Sequence, residues 1–403
     1  MIGVLRHRDF SLLFWGGLVS VAGDWMLFAV LPYVVYARTG STLATAGMTV
    51  AELAPGLVLG SVAGVFVDRW DRRRLLVAVN LVQGLVVLAL LAFVADVALL
   101  WVVYVVAAAQ SALSAFSKPA ENALLPTLVG SDELVAANAM NALNNRVGRL
   151  AGLAAGPVIY ALGGLAAVTI ADAASFVVAG VLVALMRSRP VVRDESAEQG
   201  RFFVEWRDGL RLVRRDRSIG VLFVVFGLMT FGGTMLDPLS APWVRDVLHA
   251  GPGVYALLKT VHAVSGIAGS VLVGSIGAGW SPRFLCGVGS LVACALLLVR
   301  FNVPVVGVAV TLSAVAGAVA VGSSVGVETL AQQRVPEAYR GRVFGTLQAT
   351  IWLLSLLGAV VGGVGAEWLG VVAMLNIAAL LVGVAGVVVL LAIPAEPARF
   401  GSR

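Results

Sequence analysis

Stretches of about twenty predominantly apolar residues recur along this chain, and that is the length an α-helix needs to cross the hydrocarbon core of a bilayer. Twelve such runs lie near residues 11–36, 43–67, 75–95, 98–117, 143–163, 166–186, 218–241, 254–276, 284–301, 304–327, 342–364 and 368–392. They are numbered here as spans in chain order. The chain is 60% hydrophobic and only 12% charged, whereas a soluble domain carries roughly 45–50% apolar and about 25% charged residues. A water-exposed surface cannot be assembled from this composition, so lipid must be the solvent. The first run follows Met1-Ile2-Gly3-Val4-Leu5-Arg6-His7-Arg8 and continues for about 27 residues, longer than the core of a signal peptide. It is expected to remain as the first span.

Charge supports both the count and the orientation. The net charge is +6, but the basic residues sit in short breaks between the apolar runs, the pattern of cytoplasmic loops rather than of nucleic-acid binding. With the N-terminus inside and twelve crossings, all but Arg38, Arg245, Lys259 and Arg300 of the 28 Lys and Arg residues fall on the cytoplasmic side. Removing one span would scramble that asymmetry.

The longest polar stretch divides the spans six and six, giving an N-terminal bundle over 1–186, a linker over 187–217 and a C-terminal bundle over 218–403. The linker holds a solvated segment around Asp194–Gly200. It continues into Phe203, Trp206, Leu210 and Val213, whose helical spacing with intervening arginines suggests an amphipathic helix on the cytoplasmic face. The halves echo one another at a constant offset of 210: Pro32 with Pro242, Trp70 with Trp280, Arg73 with Arg283, and Pro126 with Pro336. A shared offset at equivalent places in the span order suggests a duplicated six-helix unit.

The loop after span 2 reads Gly64-Val65-Phe66-Val67-Asp68-Arg69-Trp70-Asp71-Arg72-Arg73-Arg74. Topology anchoring explains its arginines but not its acids, whereas a carboxylate set among guanidiniums can pair with or cap neighbouring helix ends. Here the chain resembles the major facilitator superfamily, whose hallmark loop matches Gly64, Asp68, Arg69, Arg72 and Arg73. The resemblance implies an all-α membrane protein with twelve transmembrane helices in two pseudo-symmetric six-helix bundles, in which this loop is an interdomain latch. Further matches resemble a bacterial efflux branch that includes enterobactin and macrolide exporters. They are Val21-Ala22-Gly23-Asp24, Leu31-Pro32, Thr39-Gly40-Ser41, Pro55, Ala136–Ala139, Asp172–Phe176, Pro336 and Arg340–Gly345. In span 5, Gly152, Gly156 and Pro157 resemble the core of an antiporter motif, although Tyr160 and Ala161 replace its trailing glycines. The arginine that many proton-coupled exporters carry in span 4 is replaced by Ala107, three residues before Gln110.

A charge at the centre of a membrane helix costs about 2.5–3.5 kcal/mol, so such residues are rare and usually functional. Asp24, Glu52, Asp237 and Glu328 are the candidates for proton or substrate coupling. The resemblance implies that spans 1, 4, 7 and 10 line a central cavity, which puts Asp24 first, while Asp172 is expected to be structural on a span facing lipid. Arg146 and Arg149 read as topology anchors or partners of nearby acids, and His262 as a packing residue. Trp25, Phe28, Gln110, Phe231 and Trp352 are cavity-lining candidates for an amphipathic substrate.

Together these features predict a monomeric, multi-pass transporter of the bacterial inner membrane with both termini cytoplasmic. It would export amphipathic small molecules such as drugs, macrolides or siderophore-like compounds, in exchange for protons, by alternating access. Uptake by a cation-coupled symporter and lysolipid flipping are alternatives on the same fold, and a transport-dead sensor is a further one. A membrane enzyme would need a nucleophile–base pair or metal cluster, and none is present in the sequence. Cys286 and Cys294 stand eight residues apart on one run, about 12 Å along a helix, too far to pair with each other. No phosphate-binding loop points to ATP, and neither a metal nor another cofactor is expected.

Overall fold

The computed structural model describes residues 2–59, 70–130, 133–187, 217–276, 280–335 and 340–394. Every regular element among them is helical: α1 (Arg8–Phe28), α2 (Leu31–Thr39), α3 (Thr42–Leu59), α4 (Arg72–Leu88), α5 (Leu90–Ala95), α6 (Leu100–Leu128), α7 (Leu134–Ala184), α8 (Arg217–Pro242), α9 (Pro252–Ile276), α10 (Pro282–Asn302), α11 (Val306–Arg334), α12 (Arg340–Leu369) and α13 (Val371–Ala392). Ten stretches of described helix are long and apolar enough to cross a membrane. One of them, α7, has 51 residues, about 76 Å if it ran straight, more than twice the hydrocarbon thickness.

Residues Gly163 and Gly164 divide α7. Gly164 has φ +65°, a left-handed conformation that a side chain would strain, and neither glycine has helical torsions. The chain reverses there, as the packing on α1 demonstrates. Before the turn, Gly148, Gly152 and Gly156 meet α1 at Leu18–Val21, Ala22–Trp25 and Met26 in ascending order. After the turn, Asp172 and Ser175 meet Gly23, and Ala179 meets Gly16, in descending order. The expected spans 5 and 6 are therefore the two arms of α7, making eleven crossings. The start of span 2 is α3, and residues 60–67 of that span lie outside the described residues.

Proline sets the breaks inside spans. In the first crossing, α1 gives way to α2 at Ala29–Val30, and Pro32 stands at the start of α2, where a missing N–H does no harm. Its counterpart Pro242 closes α8 and is followed by a π-helical turn at Trp243–Val247. Pro119 and Pro126 lie inside α6, which runs eleven residues beyond the expected end of span 4 at 117.

Two compact units divide the chain: Met1–Glu198 with Ala250–Thr260, and Gln199–His249 with Val261–Arg403. Each repeats the same internal contacts at the offset read from the sequence. In the first, Asp71 caps α4 by accepting from the Arg74 amide at 3.0 Å. In the second, Ser281 caps α10 by accepting from the Phe284 amide at 3.2 Å. Arg73 reaches the carbonyls of Val183 and Ala184 at the end of α7, while Arg283 reaches Leu390 O near the end of α13. A Cβ on Gly148 or Gly152 would strike α1, and one on Gly358 or Gly362 would strike α8 at Phe231 and Met235. The close approach of Gly84 to Ala173 returns with the small residue exchanged across the seam, Cys294 against Gly383. Both cysteines are buried free thiols. Large apolar side chains such as Leu85, Val105, Leu162, Val181, Leu380 and Leu391 stand exposed, which suits a surface solvated by lipid.

Candidate functional site

The first membrane helix carries the best-placed acid. Asp24 lies sixteen residues into α1, about 24 Å from its N-terminal end, and its side chain is exposed. Two charged groups act on it, the carboxylate of Glu52 and the ammonium of Lys118, and Asp24 in turn acts on Asp172. Glu52 is exposed on α3, and Lys118 is exposed on α6. Asp24 and Glu52, two of the expected coupling residues, are thus electrostatic neighbours within one unit. Asp237 on α8 and Glu328 on α11 are both exposed and belong to the other unit.

Aromatic candidates surround this acid in sequence. Trp25 and Phe28 form an edge-on pair with ring centroids 4.6 Å apart. The Arg149 guanidinium lies 4.2 Å over the Trp25 ring, a geometry that holds an exposed cation near apolar surface. Lys259 Nζ stands 5.7 Å from the Phe28 ring. Gln110 is half-buried and ties α6 to α4, donating to the backbone carbonyl of Gln83 at 3.1 Å. The neighbouring Gln83 side chain donates to Ser114 Oγ at 3.2 Å. Phe231 and Trp352 are both half-buried, and the Phe231 carbonyl lies against Gly358.

The glycines of α7 have a clear packing role. Added Cβ atoms at Gly152 and Gly156 would come within 2.3 Å of Ala22 O and 2.6 Å of Met26 O. Pro157, half-buried, follows inside the helix. Of the loop residues, Gly64, Asp68 and Arg69 lie outside the described residues. Arg72 donates to Ala123 O inside α6 at 3.2 Å, while Arg73 caps the end of α7 by satisfying its last carbonyls.

Three findings add to the sequence expectation. Asp172 is itself 1% exposed and faces Gly23 of α1, on an arm whose Ile170, Val177 and Val181 stand exposed. Lys118 and Glu121, whose charges act on one another, were missed because the fourth apolar run ends at 117, yet α6 continues through both. The signal that could have found them is their i,i+3 spacing within a helix. Arg149 engages an aromatic ring and is not merely a topology anchor.

The chain matches the family described as transmembrane secretion effector over residues 2–398. It belongs to that family of the major facilitator superfamily. The macrolide efflux protein A of Streptococcus pyogenes is 24% identical over 386 residues, covering 91% of this chain and 92% of that protein. The enterobactin exporter EntS of Salmonella typhimurium is 25% identical over 369 residues, covering 89% and 86%. The solved structure of the nucleoside transporter NupG superposes with a TM-score of 0.77 at 11% identity, over 96% of this chain and 100% of that one. That likeness is one of fold. The chain is a multi-pass membrane transporter of efflux type.

Proposed function

We propose that this transporter exports small amphipathic molecules across the bacterial inner membrane in exchange for protons, by alternating access. The observation that carries the reading is Asp24, an exposed acid within the first membrane helix. It adjoins the edge-on pair Trp25–Phe28 and has Glu52, Asp172 and Lys118 as its charged neighbours. A carboxylate in such surroundings can take up either a proton or a cationic substrate, and competition between the two is the simplest form of exchange. The rings supply apolar surface for the rest of the substrate. Likeness to macrolide and enterobactin exporters along most of the chain supports export of bulky amphipaths.

In this reading Glu52, Asp237 and Glu328 are further coupling groups, and Gln110, Phe231 and Trp352 line the substrate path. Gly64, Asp68, Arg69, Arg72 and Arg73 latch the halves, and the Gly152–Gly156–Pro157 seam lets α7 shift on α1. Residues 1–186 and 218–403 act as the two rocking bundles of a monomer, joined through 187–217, with both termini cytoplasmic. No chemical conversion and no cofactor are required.

Inside-out vesicles loaded with the purified protein test the reading under separately imposed pH and voltage gradients. Erythromycin, ethidium and a catecholate siderophore serve as probes. An acidic lumen should drive accumulation of at least one probe. Accumulation that does not respond to the pH gradient, or of no probe under either gradient, overturns proton exchange.

A further inference from the structure

The exchange reading uses Asp24 and leaves a second, buried acid unused. Asp172 stands on the C-terminal arm of α7 with 1% of its surface exposed. A Cβ built on Gly23 would lie 2.5 Å from Asp172 Oδ1 and 2.1 Å from Ser175 Oγ. Only glycine leaves that space open, and Asp24 is the next residue along α1. The exposed acid of α1 and the sealed acid of α7 therefore act on one another past a stretch of backbone that carries no side chain.

Little else in the seam can hold a charge on Asp172. The Ser175 hydroxyl donates to the Asp172 backbone carbonyl at 2.7 Å and stands 3.5 Å from Oδ1. Among the described residues no Lys, Arg or His forms an ion pair with Asp172. From α1 the facing ionisable group is Asp24. From α4 the groups that approach this arm of α7 are Asn80, Leu81 and Gly84, and the ionisable residues of that helix, Arg72 to Arg74, serve its cytoplasmic end. Glu52 of α3 and Lys118 of α6 act on Asp24, and Arg149 of the other α7 arm lies over Trp25. An ionised Asp172 would thus face the like charge of Asp24, while the Lys118 ammonium acts on Asp24. Two carboxyl groups near one another disfavour each other's ionised form.

We propose that Asp172 is the buried half of a proton-sharing carboxyl pair with Asp24, and that it stores the transported proton while Asp24 is engaged with substrate. A proton from water binds Asp24. Its O–H bond then breaks as one forms on Asp172, so the negative charge returns to Asp24, where a cationic or amphipathic substrate meets it. The proton leaves by the reverse transfer. This proposal rests on the proton-exchange reading and adds to it a second residue and a division of labour.

Infrared difference spectroscopy on the purified protein in lipid, with the proton itself as the probe, tests the assignment. Between about pH 5 and pH 9 a buried pair gives a carboxylic C=O band that disappears as its proton is lost. That band should be present in the wild type and absent from Asp172→Asn, which keeps the shape and loses the acid. Asp172→Glu should restore it at a displaced frequency, and it also decides the matter if Asp172→Asn does not fold. A band that persists unchanged in Asp172→Asn, or that keeps its frequency in Asp172→Glu, overturns the assignment. Erythromycin accumulation under a pH gradient separates the two readings. A gradient that drives the wild type and Asp172→Asn equally, while failing to drive Asp24→Asn, overturns the role of Asp172 alone. An Asp172 band with no response of transport to pH overturns proton exchange and leaves the pair standing.

Discussion

Replacing Gly152 by alanine adds one methyl group at a close backbone approach in the seam between α1 and α7. The added Cβ would lie 2.3 Å from Ala22 O, 2.6 Å from Trp25 Cβ and 2.9 Å from Met26 N. Two of these three atoms are backbone and the third is fixed to it, so no flexible side-chain end can move aside. An ordinary contact would require the helices to part by roughly 1 Å, and overpacking of this kind costs about 1–3 kcal/mol. The gain from replacing a helical glycine by alanine, about 0.8–1 kcal/mol, offsets only part of it. The net expectation is a loss of up to about 2 kcal/mol, or a fall in the folded-to-unfolded ratio of up to roughly thirtyfold. Gly17→Ala is the control. It lies on α1, the facing helix of the same seam, and the nearest atom to its Cβ is the Asn144 amide nitrogen at 3.6 Å. It should gain from helix propensity and lose nothing to crowding. Unfolding in lipid-detergent micelles with rising fractions of a denaturing detergent, followed by tryptophan fluorescence, measures both. Should Gly152→Ala prove as stable as Gly17→Ala, the seam is looser than described, and the close-packing role of these glycines is wrong.

Other expectations follow from the same geometry. Gly358→Ala, whose Cβ would come within 2.3 Å of Thr234 Oγ1 and 2.6 Å of Phe231 O, should destabilise by a similar amount in the same unfolding assay if the two units share one packing plan. Arg73→Gln removes the guanidinium that caps Val183 and Ala184 and should cost about 1–2 kcal/mol, and Arg283→Gln should match it within about a factor of two. Asp24→Asn keeps hydrogen bonding but cannot titrate. It should bind erythromycin yet fail to concentrate it under a pH gradient, and wild-type accumulation would refute its coupling role. Single cysteines at positions 196 and 199 should resist an impermeant maleimide in intact cells, and labelling of either from outside refutes a cytoplasmic linker.

Run length and charge placement were enough to determine that this chain crosses a membrane many times, because a bilayer requires about twenty apolar residues per helix whatever the fold. The duplication was also legible. Arg73 and Arg283, and Pro32 and Pro242, occupy equivalent places because each does the same local work, capping a helix end or breaking one. The hallmark loop likewise announced its family through residues adjacent in sequence. Only the tertiary structure determined which helix each residue touches. Hydropathy treats Asp172 as an acid near the end of an apolar run and cannot tell that its arm of α7 turns inward onto Gly23. Nor does the Lys118-Pro119 sequence reveal that α6 continues, since a proline within a helix is tolerated where neighbouring helices and side chains satisfy the freed backbone groups. The approach of Asp172 and Ser175 to α1 depends on the absence of one Cβ at Gly23, a relation between residues far apart in the chain that no local pattern contains.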